Sequence, residues 1–272
     1  FRRVLFRSAG CASCHAAADA SGPDELVLAG GQKFATGFGT FVAPNISPDK
    51  QHGIGGWTLV QFANAVTQGV SPEGEHLYPA LPYAAYNKML PQDVADLKAF
   101  MDTLPASATP SAPHEISFPF TIRRALGLWK LMFASTNWVI TGDLTPEQTR
   151  GRYIAEALAH CGECHTPRNA LGGVQRGKWL AGATNPDGKG KTPNITPGKL
   201  TWSAADVVSV MACRLSYAPS AGCAGADDTN VMPRLRRSNR EKSPDFGCTF
   251  HDFMPSSLAP PAGFLLVPRL MV

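Results

Sequence analysis

Two short cysteine patterns in this 272-residue sequence have the residue types and the spacing needed for covalent cofactor attachment. They read Cys11-Ala-Ser-Cys14-His15 and Cys161-Gly-Glu-Cys164-His165. Two thiols one helical turn apart project to one side of a helix, where they can add to the two vinyl groups of a single porphyrin. The histidine that follows can supply an imidazole ligand to the iron. The sequence therefore predicts two haem c groups, one at each pattern.

Other cysteine chemistries fit these patterns less well. A redox dithiol would be expected after a strand in a βαβ unit, and neither pattern has that setting. A shared zinc site usually places its cysteine pairs about 15–20 residues apart. Cys14 and Cys161 are instead separated by 147 positions. Haem attachment is therefore favoured over a dithiol or a binding module held together by zinc.

The segments that follow the two patterns resemble each other, which indicates an internal repeat. LAGG (28–31) and APNISPD (43–49) follow the first pattern, and LAGA (180–183) and TPNITPG (192–198) follow the second. A tryptophan comes next in each segment, Trp57 in the first and Trp202 in the second. Four elements in the same order predict a duplicated domain. The PNIS and PNIT loops are expected either to pass a haem edge or to serve only as turns.

Helix signals dominate and strand signals are scarce. Residues 58–68 have apolar side chains at helical spacing and are followed by Gly69, a residue typical of a helix end. Pro91 is expected to begin a helix that continues through Asp102. The sequence Thr145-Pro146-Glu147 has the composition of a helix start, for a helix running to Ala159 and leading into Cys161. The fold is therefore predicted to be mostly α.

A six-coordinate haem iron needs a second axial ligand, and methionine is a frequent choice in electron-carrying proteins. Met89 follows the turn-rich stretch LYPALPYAAYNK and directly precedes a predicted helix. Such a loop can place the side chain over the free face of a porphyrin. Met101 is the competing candidate, but its helical spacing predicts a core residue. Met89 is therefore the favoured second ligand of the first iron.

For the second repeat, Met232 is a candidate ligand because it lies 67 residues after His165, close to the 74 residues between His15 and Met89. Met211 falls in a predicted amphipathic helix and is expected to be a core residue. Four histidines are alternative ligands, although surface or helix-end positions are expected for them: His52, His76, His114 and His160.

Several of these segments together resemble the cytochrome c subunit of membrane-associated bacterial alcohol, gluconate and aldehyde dehydrogenase complexes. They are GCASCH, GTFVAPNISPD, GVSPEGEHLYPALPY, RYIAEALAHCGECHTPRNALGG and PNITP, within residues 9–212. Members usually have three haem domains and lie on the periplasmic face of the cytoplasmic membrane. They pass electrons from a dehydrogenase partner towards ubiquinone or a terminal oxidase. The resemblance implies that His15 and Met89 ligate the first iron and His165 the second.

The expected architecture is two tandem cytochrome c-like domains, each truncated at one end, in a chain long enough for two small domains. The first spans residues 9–104, a linker and packing helix span 105–145, and the second spans 146–212. Residues 1–8 and 213–272 differ in character and are expected to be non-native ends. On this basis the first domain lacks its opening helix and the second its final helix.

Composition narrows the functional classes. The formal net charge of +4 comes entirely from residues 1–8 and 213–272, so it is no argument for binding nucleic acid. The predicted helix Ile122–Phe133 either packs between domains or lies on a membrane surface. Electron transfer, rather than catalysis by this chain, is the favoured function. A di-haem enzyme of the peroxidase or thiosulfate-oxidising type is the alternative, and the second axial ligands would distinguish the two.

Overall fold

Short helices joined by long loops make up most of the chain in the computed structural model, which describes residues 2–186 and 188–207. All the described residues fall within a single unit of the fold. The α-helices are α1 (Arg2–Ser8), α2 (Cys11–His15), α3 (Leu59–Ala63), α4 (Tyr83–Tyr86), α5 (Pro91–Met101), α6 (Ala125–Phe133), α7 (Pro146–Tyr153) and α8 (Cys161–His165). Two short 3₁₀ helices are Gly22–Leu26 and Arg176–Lys178. The mostly helical prediction is confirmed.

Local capping explains where two of the predicted helices begin. Thr58 accepts a hydrogen bond from the backbone N–H of Gln61, and the Gln61 side chain accepts one from the backbone of Thr58. Thr145 and Gln148 form the same reciprocal arrangement at the start of α7. Such a capping box satisfies backbone N–H groups that have no partner inside the helix. Both helices continue as a π-helical turn, Asn64–Gln68 after α3 and Ile154–Leu158 after α7.

In the part of the chain that the structure describes, the strands are short and form two small antiparallel sheets. They are β1 (Lys33–Thr36), β2 (Gly39–Val42), β3 (Glu115–Ile116), β4 (Ala183–Thr184) and β5 (Lys191–Thr192). In the first sheet the order is β1-β2-β3, with Lys33 opposite Val42 and Thr40 opposite Glu115. The sequence predicted residues 105–145 as a linker between domains. The pairing of β3 instead attaches this segment to the first repeat.

Helix α1 lies within the part of the chain that the sequence predicted to stand outside the fold. Leu5 and Phe6 are each only 1% exposed, and the Phe6 ring lies 5.2 Å from that of Phe100 on α5. Arg2 forms an ion pair with Asp96 of α5 at 2.7 Å. Burial of these two apolar side chains stabilises the helix against α5. This corrects the prediction that the first domain lacks its opening helix.

The buried apolar side chains form one cluster that spans both repeats. It joins Leu5 of α1, Phe62 of α3 and Leu97 of α5 to Ala157 and Leu158, which immediately precede the second cysteine pattern. In the described residues the two repeats therefore share one continuous core. The physical reason is that the helix leading to the second pattern buries its apolar side chains against the first repeat.

Helix α6 begins at Ala125, three residues later than predicted, and has two different faces. On the inner face, the Trp129 ring meets Tyr83 edge-to-face at 6.2 Å and its Nε1 donates to the Leu171 carbonyl at 2.8 Å. The outer face exposes apolar side chains: Leu128, Leu131 and Met132. Among the described residues, no helix has the length and apolar character required to cross a membrane.

Candidate haem-attachment sites

Each cysteine pattern forms a single helical turn, α2 in the first repeat and α8 in the second. The residue before each turn has left-handed backbone angles: Gly10 has φ 67° and His160 has φ 40°. The four cysteines of the two turns are free thiols, and Cys14 and Cys164 are exposed. Thiols one turn apart, with one of them open to solvent, fit addition to the two vinyl groups of one porphyrin.

The two candidate iron-ligating histidines are oriented by equivalent hydrogen bonds. Nδ1 of His15 lies 2.8 Å from the Pro44 carbonyl oxygen, and Nδ1 of His165 lies 2.8 Å from that of Pro193. Because a carbonyl can only accept, each Nδ1 carries the hydrogen and each Nε2 keeps its lone pair for a metal. The two proline residues belong to the repeated PNIS and PNIT loops, so those loops orient the candidate ligands. These side chains fit haem iron.

A glycine after each pattern allows the loop to approach the motif helix closely. The N–H of Gly30 donates to the His15 carbonyl at 2.7 Å, and that of Gly182 donates to the His165 carbonyl at 2.7 Å. Both glycines have positive φ, 76° and 84°. A Cβ at Gly30 would lie 2.5 Å from the Ala43 carbonyl oxygen, so no larger residue fits there without movement. The predicted repeat thus has equivalent tertiary contacts.

An asparagine closes each proline loop, but the two differ in what surrounds them. Oδ1 of Asn45 accepts from the Ser47 N–H, and Oδ1 of Asn194 accepts from the Thr196 N–H, both at 2.9 Å. The Asn45 amide nitrogen also donates to two carbonyls of the segment 105–145, at 2.8 Å each. The first loop is therefore enclosed by a segment distant in sequence.

Loss of hydration raises the pKa values of all four thiols, including Cys14 and Cys164, which keep part of their surface exposed. It raises the pKa of Cys11 to about 12, with a smaller contribution from Cys14, and it also raises the pKa values of Cys161 and Cys164. The pKa of Cys14 is raised first by burial and then by Cys164, since the two patterns lie near each other. A reactive dithiol has a lowered thiol pKa, so these raised pKa values disfavour dithiol chemistry.

The imidazole of His15 is also held neutral. Burial lowers its pKa, and the hydrogen bond to Pro44 opposes this shift only in part. Metal binding requires a neutral imidazole. The environment of His15 therefore suits iron ligation.

The structure places Met89 in the shared core, just after α4, with 7% of its surface exposed. The loop is fixed from the second repeat, because the Leu90 N–H donates to the Tyr153 hydroxyl at 3.0 Å. Met101 is 3% exposed, which confirms its predicted core position. Iron ligation by Met89 stays a prediction. Met232 and Met211 lie outside the described residues.

The alternative histidine ligands fall into two groups. His76 lies 3.0 Å from Lys130 Nζ, and His114 accepts from the Val42 N–H at 3.1 Å, so both have partners away from the cysteine patterns. His160 is different, because its Nε2 lies 3.3 Å from the Ala9 carbonyl oxygen, next to the first pattern. The sequence indicated only a helix-end residue at this position. The one available signal was that its counterpart is Gly10.

Comparisons with known proteins agree with this geometry. The cytochrome c family matches residues 3–105. A diheme cytochrome c-type protein of Cereibacter sphaeroides is 53% identical over 84% of this chain and 76% of its own length. The cytochrome subunit of a Gluconobacter japonicus fructose dehydrogenase is 39% identical over 79% of this chain and 45% of its own length.

A third relative is the cytochrome c subunit of a quinone alcohol dehydrogenase of Gluconacetobacter polyoxogenes. It is 35% identical over 66% of this chain. The aligned region is 38% of that relative's length. The chain therefore spans about three quarters of the diheme relative but under half of the two dehydrogenase subunits.

Proposed function

This chain belongs to the cytochrome c family, and from that premise we propose that it is an electron-transfer protein with one covalent haem c at each cysteine pattern. Haem c supplies a reversible one-electron change between Fe(III) and Fe(II). The observation that carries the proposal is the duplicated site. Each motif helix offers a pair of free thiols, and each histidine is oriented through Nδ1 by a proline carbonyl. The protein's contribution is to attach, orient and enclose the cofactor.

The donor in this proposal is the catalytic subunit of a dehydrogenase, and this chain does not itself perform the oxidation. Support comes from the relatives, which include cytochrome subunits of fructose and alcohol dehydrogenases. We propose a quinone or a terminal oxidase as the acceptor, because one relative carries quinone in its name. Covalent haem attachment also favours a periplasmic location.

The outer face of the cytoplasmic membrane is the proposed place within the periplasm. Leu128 and Leu131 on the outer face of α6 are 62% and 86% exposed, and Arg124 at the start of this helix is also exposed. Apolar and basic side chains together suit an anionic lipid surface. Leu131→Ser should weaken co-sedimentation with anionic vesicles. Val60→Ser, at a 68% exposed position of α3, is the matched control and should not.

For the irons, we propose His15 and Met89 as the axial ligands in the first repeat and His165 in the second, with Met232 as a candidate for the remaining position. A thioether ligand raises the potential of a haem. Met89→Leu should lower the potential of one haem and open its iron to carbon monoxide. Met101→Leu changes another buried methionine and should leave both spectra unchanged. Identical spectra in the Met89→Leu variant and the parent protein would refute the assignment.

The decisive experiment is maturation of the chain in a host with a cytochrome c assembly system. We expect haem that stays bound on a denaturing gel, and a pyridine haemochrome assay that gives two haems for each chain. Protein without covalent haem would overturn the proposal. Carbon monoxide separates electron transfer from the alternative, a di-haem peroxidase or thiosulfate-oxidising enzyme. Binding to one haem of the unaltered ferrous protein would favour the enzyme, and refusal by both would favour electron transfer.

A further inference from the structure

His160 occupies the position just before the second motif helix and has a strained backbone. Its φ and ψ are both 40°, in the left-handed region that favours glycine. The equivalent residue before the first motif helix is Gly10, with φ 67° and ψ 21°. A glycine would therefore adopt the backbone conformation of position 160 with less strain. Any advantage of histidine there must come from its side chain.

The imidazole of His160 contacts the residues that precede the first motif helix. Its Nε2 lies 3.3 Å from the Ala9 carbonyl oxygen, and because the carbonyl can only accept, this nitrogen is the donor. The nearest atom to a Cβ built on Gly10 would be the same Nε2, at 3.8 Å. Ala9 and Gly10 lead directly into Cys11, and His160 leads directly into Cys161. The side chain therefore bridges the two attachment motifs.

Tyr86, a residue of the first repeat, contacts both the His160 ring and the Ala9 carbonyl. Its ring lies edge-to-face with the His160 ring, with centroids 5.4 Å apart and planes at 78°. Its hydroxyl donates to the same Ala9 carbonyl at 2.6 Å. Tyr86 is 6% exposed, so these contacts are shielded from water. Two donors on one carbonyl and an aromatic contact fix the His160 ring relative to the first motif.

We propose that His160 is a positioning residue for the haem pair, which sets the spacing and orientation of the two motifs and thereby the rate of electron exchange between the haems. This inference rests on the proposed function. In the exchange, one iron passes from Fe(II) to Fe(III) while the other passes from Fe(III) to Fe(II), so no further reactant is needed. The His160 ring takes no part in the electron balance.

A second set of hydrogen bonds between the two repeats lets the effect of His160 be measured separately from folding. The Tyr153 hydroxyl, on the helix leading to the second motif, donates to Asp93 of α5 at 2.5 Å and accepts from the Leu90 N–H at 3.0 Å. Removing the His160 ring leaves these hydrogen bonds of Tyr153 and the shared core intact. The expected result is a looser junction between two repeats that remain folded.

The test is His160→Gly in the mature protein with both haems. Glycine suits the left-handed backbone, so only the ring contacts are lost. We expect the rate of electron exchange between the haems, measured after photoreduction of one haem by a laser flash, to fall about tenfold, because the hydrogen bond and the aromatic contact of the ring no longer hold the spacing of the two motifs. Magnetic broadening between the two ferric haems should also decrease in electron paramagnetic resonance spectra. Tyr86→Phe, which removes only the hydroxyl, should lower the rate by less.

Phe120→Ala is the control. It also removes an edge-to-face aromatic contact, here with the Phe38 ring at 5.0 Å, but at a residue outside both motifs and both proline loops. It should leave the rate and the magnetic broadening unchanged.

The outcomes separate this inference from the proposed function. An unaltered exchange rate in His160→Gly protein that retains two haems would overturn the positioning role alone. Absence of covalent haem from the unaltered protein would overturn the proposed function. Should the glycine variant not mature, His160→Asn carries the same expectations, since asparagine tolerates the left-handed region.

Discussion

The loop that orients His15 is buried and enclosed, whereas the equivalent loop that orients His165 is more open. Asn45 and Ser47 of the first loop are 3% and 0% exposed, and residues 107–111 cover them through hydrogen bonds. Asn194 and Thr196 of the second loop are only partly buried. Within the described residues, the hydrogen bonds of the Asn194 side chain stay inside its own loop.

This difference separates two tasks of the fold. Orientation of the histidine is local, because the proline carbonyl lies at 2.8 Å in both repeats despite the unequal burial. Enclosure is not local, since it depends on residues more than 60 positions away in the first repeat. We therefore expect the two sites to bind haem equally and to differ in stability.

The largest expected effect is on the content of covalent haem, and it tests whether the two sites attach haem equally. Replacing Cys11 and Cys14 together with alanine should remove about half of the covalent haem, because no thiol of the first motif remains. Replacing Cys161 and Cys164 in the same way should remove the other half. Haem content per chain is measured by the pyridine haemochrome assay. Loss of all haem from either variant would show that the two sites depend on each other.

The next largest effect is on the free energy of unfolding, and it is expected at the glycines that let each proline loop approach its motif helix. A Cβ at Gly30 would lie 2.5 Å from backbone atoms of Ala43 and Pro44, and one at Gly182 would lie 2.9 Å from backbone atoms of Thr192 and Asn194. We expect Gly30→Ala to lower the free energy of unfolding by about 3 kcal/mol and Gly182→Ala by about 2 kcal/mol. Chemical denaturation measures both. A larger loss at Gly182 would reverse the predicted order.

Asn45 and Asn194 are expected to give smaller losses of stability, with a larger difference between the two repeats. Asn45→Ala removes the two hydrogen bonds that this buried side chain donates to the Ser107 and Thr109 carbonyls and the one that it accepts from Ser47, so we expect a loss of about 2–3 kcal/mol in the free energy of unfolding. Asn194→Ala removes contacts within a partly exposed loop and should cost about 0.5–1 kcal/mol. Denaturation of the two variants under identical conditions measures the difference. Equal losses would mean that enclosure of the first loop contributes nothing to stability.

The smallest effect concerns a carboxylate that only the first loop has. Asp49 accepts from the N–H groups of His52 and Gln51, which lowers its pKa below the usual 3.8. A carboxyl with a lowered folded-state pKa stabilises the fold above its unfolded value, and this contribution is lost as the pH falls through the folded value. Asp49→Asn should therefore reduce the acid dependence of the melting temperature below about pH 4. Gly198, its counterpart, has no carboxyl to titrate.

Local sequence patterns were sufficient for the elements that depend on neighbouring residues. The helices beginning after Thr58, at Pro91 and at Pro146 form as predicted, because their start signals lie within the first turn: a capping box in the first and third, and a proline at the first helical position in the second. The same patterns were insufficient for β3, whose two residues acquire a partner only through pairing with β2. They also left α1 out of the fold, because its burial depends on contact with α5.

The sequence alone determined where the two candidate attachment motifs and their histidines lie, since thioether formation and ligation need residues within a single helical turn. The tertiary structure decided how the two motifs face each other. That arrangement depends on contacts such as His160 to Ala9, which join residues 151 positions apart. Spacing along the chain does not encode such contacts, because they form only when helices from both repeats bury their side chains in one core.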